Sequence, residues 1–327
     1  MARDHGFHSV RITRIIQETA DARTYVLGAP SSFTYRAGQF LTVRVCGTVR
    51  SFSLCSSPDT DSELMTTVKR VPGGLVSNWM HDHLVPGDII EVTLAAGVFC
   101  LRETPVPLVA FCGGSGITPI LSLAKSALAT TKRRVRVLAA NREPGSVMFA
   151  SALTELATRY PARFEIRHHL DICNGLLTDG QVRDFADGDR AADFYLCGPA
   201  PFMELAERAL LAHGAGPGQI FIERFEPAVG VPAGQETEGT ITIVLSGRRH
   251  TVRQHSGETL LQSARRAGLS PPFSCETGNC ATCIAQVTEG VVTMNVNNAL
   301  DADEVAGGWI LTCQGEPVTP QVTVVYD

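Results

Sequence analysis

The sequence predicts a multidomain protein of three unlike modules: an antiparallel β-barrel or sandwich, an α/β domain with a parallel sheet, and a small α+β domain. Three observations predict it. At 327 residues the chain exceeds what one hydrophobic core ordinarily supports. Near residue 105 its hydrophobic rhythm changes from short alternating runs to strand–helix alternation. After residue 226 the charge and cysteine content change too. Basic and acidic side chains balance in residues 1–104 and again in 105–226, so the whole net charge of -5 belongs to the last third. That third also holds Cys275, Cys280, Cys283 and Cys313.

The first module consists of the alternating stretches SVRITRII, TYVLGA, FLTVRV, RSFSL, LMTTVKRV and IIEVTLAA, separated by Gly, Pro, Asp and Ser. Such short runs between turn residues form antiparallel sheets. From 105 to 226 the apolar strand VPLVAFCGGSG runs into a glycine turn and the helix PILSLAKSALAT. The strand RVRVLAAN, helix ASALTELATRY, strands FEIRHHL and ADFYLCGP and helix PFMELAERALLAHG follow, which is the order of a parallel sheet covered on both faces. Glu226–Gly239, rich in Pro, Gly and Glu, reads as a linker, so the modules are expected at 1–104, 105–226 and 240–327, with 227–239 between the last two. In the third, TITIVLSGRRHTVRQ reads as a hairpin around Ser246-Gly247. Ser256 is the expected N-cap of a helix ending at Gly268, with Glu258 in its first turn.

With 44% hydrophobic and 19% charged residues, the chain has the composition of an ordinary globular protein, which excludes wholesale disorder. A mildly acidic balance argues against nucleic acid as a partner. The opening MARDHGFHSVRITR is too polar for a secretory signal, and no apolar run approaches the roughly 18 residues of a membrane span. A cytoplasmic monomer without a membrane partner is expected. In a reducing compartment a cysteine cluster points to a metal more than to disulfides.

The cysteines stand as Cys275-x4-Cys280-x2-Cys283, with Cys313 thirty residues on. This is the plant-type spacing for a 2Fe–2S cluster. It needs three thiolates on one loop, small residues such as Gly278, Ala281 and Thr282 between them, and backbone N–H groups turned to the sulfurs. A zinc site with four cysteine ligands is the alternative, but such sites usually pair two C-x2-C knuckles and only one exists here.

Two further sets of residues carry chemistry. Arg50-Ser51-Phe52-Ser53 lies on a strand, and Val68-Lys69-Arg70-Val71-Pro72-Gly73-Gly74-Leu75-Val76-Ser77-Asn78-Trp79 follows. An arginine fork matches phosphate oxygens in a bidentate way, and the glycines with Ser77 permit a close approach to an anion at a helix start. Trp79 reads as core, and His81 and His83 as surface residues. The second set is Gly113-Gly114-Ser115-Gly116-Ile117-Thr118 after one apolar strand and Cys197-Gly198-Pro199 after another. A glycine turn from strand to helix offers its amides to a pyrophosphate.

In this order the motifs resemble the ferredoxin–NAD(P)H reductase superfamily. With RSFSLCSSPDTD at 50–61, CGPAPFM at 197–203 and VNNALDADEVAGGWILTCQ at 296–314, nearly the whole chain is similar to oxygenase reductases that carry a C-terminal plant-type ferredoxin domain. The resemblance implies a flavin-binding barrel, a nicotinamide-binding α/β domain and a β-grasp ferredoxin fold. It implies that Arg50, Ser51, Phe52, Ser53, Val68, Lys69, Gly74, Val76 and Ser77 hold the flavin, FAD in preference to FMN. Arg50 would grip a phosphate, Phe52 would pack on the flavin, and Ser53 would sit near the flavin N5. Gly114, Ser115, Gly116, Thr118, Arg142, Ser146, Cys197, Gly198 and Pro199 would take the nicotinamide nucleotide. Arg142 suits a 2′-phosphate and Glu143 a free 2′-hydroxyl, which favours NADH while leaving NADPH open. Ser53, Cys197, Glu223 and Phe225 would surround the reacting centre, with the Phe225 ring over the second flavin face. Cys275 and Cys280 would hold one iron, Cys283 and Cys313 the other. The implied partner is a terminal oxygenase of Rieske type. An alternative is the same electron chain serving another acceptor, such as a hybrid-cluster protein.

Overall fold

The computed structural model describes residues 7–30, 33–45, 48–225, 236–273 and 275–326. Its first module is an antiparallel sheet of β1 (His8–Thr19), β2 (Ala22–Gly28), β3 (Phe40–Val45), β4 (Thr48–Ser53), β5 (Leu64–Lys69) and β6 (Ile89–Val92). The strand order is β4-β3-β6-β1-β2-β5. An isolated bridge between Leu54, just past β4, and Thr66 of β5 ties the two edge strands at one point, so the sheet curls toward a barrel. Alternate residues of the strands, among them Val10, Ile12, Tyr25, Leu41 and Val43, fill the interior. Helix α1 (Leu75–His83) closes one end by burying Val76 and Met80.

The second module has five parallel strands in the order β11-β10-β7-β8-β9. In chain order these are β7 (Leu108–Gly113), α2 (Ile117–Thr130), β8 (Val135–Asn141), α3 (Ala150–Arg159), β9 (Phe164–Leu170), α4 (Asp171–Asn174), α5 (Asp179–Ala186), β10 (Asp193–Cys197), α6 (Ala200–Ala212) and β11 (Ile220–Glu223). Every residue of β7, β8 and β10 is buried, as helices on both faces require. Leu108, Ala110 and Cys112 face one core, and Val109 and Phe111 the other.

Helix α2 also packs on the barrel. Ala22, Ala37, Cys55 and Phe99 share its core cluster, and the seam carries polar pins: Ser122 Oγ donates to the Ser56 carbonyl at 2.5 Å, Ser57 Oγ meets Ser126 Oγ at 2.7 Å, and Lys125 Nζ lies 2.9 Å from Asp61. A seam both apolar and hydrogen-bonded holds the two modules as one unit.

The third module pairs β12 (Glu236–Leu245), β13 (Arg248–His255), β14 (Ile284–Glu289), β16 (Trp309–Leu311) and β18 (Gln321–Val325) in the order β13-β12-β18-β14-β16, with α7 (Leu260–Arg266) across one face. A small ribbon joins β15 (Val292–Met294) to β17 (Gly315–Pro317), and α8 (Ala302–Ala306) precedes β16. The hairpin turn lies at Ser246-Gly247, where both residues adopt positive φ.

Two expectations are corrected. Residues 236–239, read as linker, open β12, with Glu236 opposite His255; residues 227–235 lie outside the described residues. The cap of α7 is Thr259 and not Ser256. Thr259 Oγ1 accepts the Gln262 amide, and Gln262 Oε1 accepts the Thr259 amide at 2.9 Å. A Thr-x-x-Gln capping box satisfies two orphan amides, more than a lone serine can. Glu258 is instead drawn inside to Arg266 and Ser263.

Candidate functional site

In a doubly wound sheet the crevice opens where the strand order reverses, at the carboxyl ends of the strands. Here that point lies between β7 and β10. The β7 turn through Gly114, at φ 54°, leads into α2. A Cβ at Gly116 would stand 2.0 Å from the Cys197 carbonyl oxygen, and one at Gly198 would stand 2.9 Å from the Gly113 amide. The two strand ends therefore meet backbone to backbone, and only glycine allows it. Cys197, the register partner of Cys112, is fully buried behind this contact, and burial drives its thiol pKa well up. Thr118 is buried with its hydroxyl unpartnered among the described residues, a polar group that a ligand would satisfy.

A cleft of ≈ 420 Å³ opens beside the turn, lined by Gly114, Asn141, Arg142, Ser146, Asp171 and Pro199, with Lys69 arriving from the barrel. Lys69, expected on the flavin, has its Nζ 3.8 Å from where a Gly114 Cβ would be and 3.7 Å from Asp21. Asp21 also draws Arg142 at 3.4 Å. Ser146 Oγ donates to the Glu143 carbonyl at 2.7 Å. Glu143 itself does not line the cleft; Asp171, at the end of β9, is the carboxylate that does. A carboxylate closing the third strand is the signal that would have found it.

A second, smaller cavity of ≈ 40 Å³ is edged by Phe40, Arg50, Ser51, Ser53, Glu223, Arg224, Phe225 and Cys275. All three modules contribute to it. Arg50 is exposed and donates only to the Val49 carbonyl, at 2.8 Å, with no carboxylate partner among the described residues. That leaves its fork available to an anion. Glu223 is buried, and burial first, then the charge of Cys275, pushes its carboxyl up to about 8. Phe225 stands half open at the rim. Phe52, Val68 and Val76 pack in the barrel core and line no part of this cavity. Gly74 caps α1, and Ser77 Oγ accepts the Val71 amide at 3.2 Å.

His81, expected at the surface, is buried. Its Nε2 lies 2.9 Å from the Val68 carbonyl, and burial lowers its pKa. The helix turns this face inward because Val76 and Met80 set the buried stripe at helical spacing. His83 is exposed and stacks on Trp79 at 5.0 Å.

The cysteine loop is shaped for sulfur ligation. Glu276, Gly278 and Ala281 take positive φ, and a Cβ at Gly278 would come within 2.7 Å of the Val296 carbonyl oxygen. The loop thereby turns amides inward: Cys275 N–H donates to Cys280 Sγ and Thr277 N–H to Cys275 Sγ, each at 3.5 Å. The thiols associate as two pairs. Cys280 hydrogen-bonds Cys275 and holds its pKa down, and Cys283 does the same for Cys313. Among the described residues no three His, Cys, Asp or Glu side chains gather as around a single metal ion. Two pairs of soft thiolates with inward amides are what a binuclear iron–sulfur centre requires. Arg265 braces the loop, contacting both Glu276 carboxylate oxygens at 3.0 Å and lying over the Phe273 ring at 4.3 Å.

Comparison with known proteins agrees with this geometry. Residues 9–100 match the oxidoreductase FAD-binding domain, 111–208 the oxidoreductase NAD-binding domain, and 243–318 the 2Fe-2S iron-sulfur cluster binding domain. The chain is 35% identical to the ferredoxin reductase component of 3-ketosteroid-9-alpha-monooxygenase from Rhodococcus rhodochrous, over 98% of both proteins. Its identity to the same component from Mycobacterium tuberculosis is 37%, over 97% of this chain and 95% of that one. The chain belongs to this family of flavin and iron–sulfur reductases. The solved structure of phthalate dioxygenase reductase, a modular structure for electron transfer from pyridine nucleotides to [2Fe-2S], superimposes with a TM-score of 0.64 at 25% identity, covering 98% of each chain.

As a member of this reductase family the protein is an NAD(P)H-dependent oxidoreductase with FAD-binding, NAD-binding and 2Fe–2S domains. The residues present fit those groups. The unpaired Arg50 fork suits a phosphate, the unsatisfied Thr118 hydroxyl and the glycine turn suit a nucleotide, and the paired thiols suit the cluster. Asp21, Lys69 at the nucleotide cleft, and Asp171 are additions that the motifs alone did not reveal. No helix of the described residues is long and apolar enough to cross a membrane.

Proposed function

We propose that this reductase serves a multicomponent oxygenase of Rieske type, carrying electrons from NADH through FAD and the 2Fe–2S cluster to a separate terminal oxygenase in the cytoplasm. The supporting observation is the cavity edged jointly by Arg50, Ser53, Glu223, Phe225 and the cluster ligand Cys275, which sets flavin strand, nucleotide domain and cluster loop around one point. A bound flavin would supply the conversion of hydride transfer into single-electron transfer, and a bound 2Fe–2S cluster one-electron chemistry. The chain's own residues bind and orient. Arg50 holds a flavin phosphate, and the amides of Gly114–Gly116 at the start of α2 face a pyrophosphate. Glu223 holds a proton on its carboxyl at neutral pH, and Phe225 keeps water from the cavity. Cys275 with Cys280, and Cys283 with Cys313, would hold the cluster. The preference for NADH is supported by Asp171 in the cleft and by Asp21 engaging Arg142: a 2′-phosphate would meet one carboxylate and compete with the other. Boundaries near 104 and 226 follow the changes in chain style, and the third unit begins with β12 at Glu236.

Purified protein mixed anaerobically with NADH should lose flavin and cluster absorbance together and then reduce a Rieske oxygenase. Loss of neither absorbance overturns the electron chain. Reduction of a hybrid-cluster protein in preference to every oxygenase tried reassigns the acceptor. Cys280→Ser should leave reduction of the flavin by NADH intact and abolish delivery to cytochrome c; retained delivery removes the cluster from the path.

A further inference from the structure

We propose that the hydroxyls of Thr282 and Thr42 form the pin that seats the cluster loop on the flavin strand, making them positioning residues for transfer between the two centres. Thr282 lies between the ligands Cys280 and Cys283, and Thr42 is on β3 of the barrel, 240 residues away in sequence. Thr282 Oγ1 donates to Thr42 Oγ1 at 3.3 Å. Thr42 is fully buried and Thr282 nearly so, although each belongs to a different module. Thr42 Oγ1 in turn meets Ser51 Oγ at 3.0 Å, next to Arg50 on β4, so three hydroxyls connect cluster loop and flavin strand by two hydrogen bonds. The Thr42 main chain is itself fixed by two bonds to Thr93. Its amide donates to Thr93 Oγ1 at 3.1 Å and its carbonyl accepts the Thr93 amide at 3.0 Å.

The physical reason is loss of solvation. Separating the modules exposes the Thr282 hydroxyl to water, whereas closing them in another register buries it away from the Thr42 oxygen, which is more costly than an unmade hydrogen bond in solvent. The pair therefore selects one seating of the loop among many similar apolar contacts. That seating brings Cys275, five residues before Cys280, to the cavity shared with Arg50 and Ser53. Thr282 also lies beside the Cys280 thiol, so the test must separate seating from any direct effect on the cluster. The inference rests on the flavin-to-cluster step alone and not on which acceptor follows it.

The test is a double-mutant cycle in the full chain carrying both cofactors. Thr282→Val and Thr42→Val should each slow cluster-dependent reduction of cytochrome c about fivefold, the equivalent of one hydrogen bond of about 1 kcal/mol. The double variant should be no slower than Thr42→Val alone, since that change already removes the Thr282 contact along with the bond to Ser51. Expressed per cluster bound, the loss in Thr282→Val should persist while ferricyanide reduction at the flavin is unchanged, and Thr282→Ser should restore the parent rate. Independently of activity, hydrogen–deuterium exchange in β3 should accelerate in Thr282→Val and return to the parent rate in Thr282→Ser. Additive losses, failure of serine to rescue, unchanged exchange in β3, or a loss that tracks missing iron would each overturn the proposal.

Discussion

On the helix that closes the barrel, His81 turns inward and places Nε2 2.9 Å from the Val68 carbonyl. Burial holds its pKa below the ordinary 6.5. The unfolded chain then takes up a proton near pH 6.5 that the folded chain refuses, so stability is intact above that pH and declines as pH falls below it. Thermal melts from about pH 7 to about pH 5 should show a steeper fall for the parent than for His81→Gln; equal slopes would place the acid sensitivity elsewhere. The sequence motif located this helix but not its rotation, because a histidine two residues from a helix end is polar by type and buried only through what packs on it. At the same scale the plant-type cysteine pattern was legible from spacing alone, since three of its four members stand on one loop.

Strands and helices followed the hydrophobic rhythm wherever the pattern was strong. The doubly wound order was readable because each buried strand of the second module ends in a glycine or polar turn before an apolar-faced helix. The segment from Asp171 to Ala186 was not assigned, for it is dense in Asp and Gly. Its usable signal is the Thr178-x-x-Gln181 capping box, the same device that moves the start of α7 to Thr259. The sharpest constraint at this scale is the backbone contact between the first glycine turn and the fourth strand end. Gly116→Ala would press a methyl 2.0 Å from the Cys197 carbonyl oxygen, costing about 1–3 kcal/mol as overpacking does. Denaturant unfolding should show that loss together with weaker binding of ADP-ribose. Unimpaired stability would mean that the two strand ends part easily.

For the molecule as a whole, charge divides by module. The ferredoxin-like module carries all the excess carboxylate, and two of its five arginines, Arg265 and Arg266, are already committed to Glu276 and Glu258. Its surface therefore offers an acceptor mainly negative charge, which calls for a basic patch on the partner. Reduction of the oxygenase should slow as sodium chloride rises, because screening weakens attraction between exposed charges. A rate indifferent to ionic strength would argue for apolar docking. The linker between the last two modules, read from composition, says nothing about where the ferredoxin-like module sits. That placement comes from contacts such as Thr282 to Thr42, which join residues 240 positions apart.

The sequence by itself determined the three modules, the four-cysteine pattern, the arginine strand and the two glycine-turn motifs. Each depends on local spacing and on the period of apolar residues, and both survive in a one-dimensional pattern. Only the tertiary structure decided that Lys69 lines the cleft beside Gly114, that Asp171 and not Glu143 lines it too, that His81 is buried, and that Cys275 shares a cavity with Arg50 and Glu223. These depend on the packing of whole modules against one another. Burial and desolvation act on neighbours in space, and neighbours in space are not written next to each other in the chain.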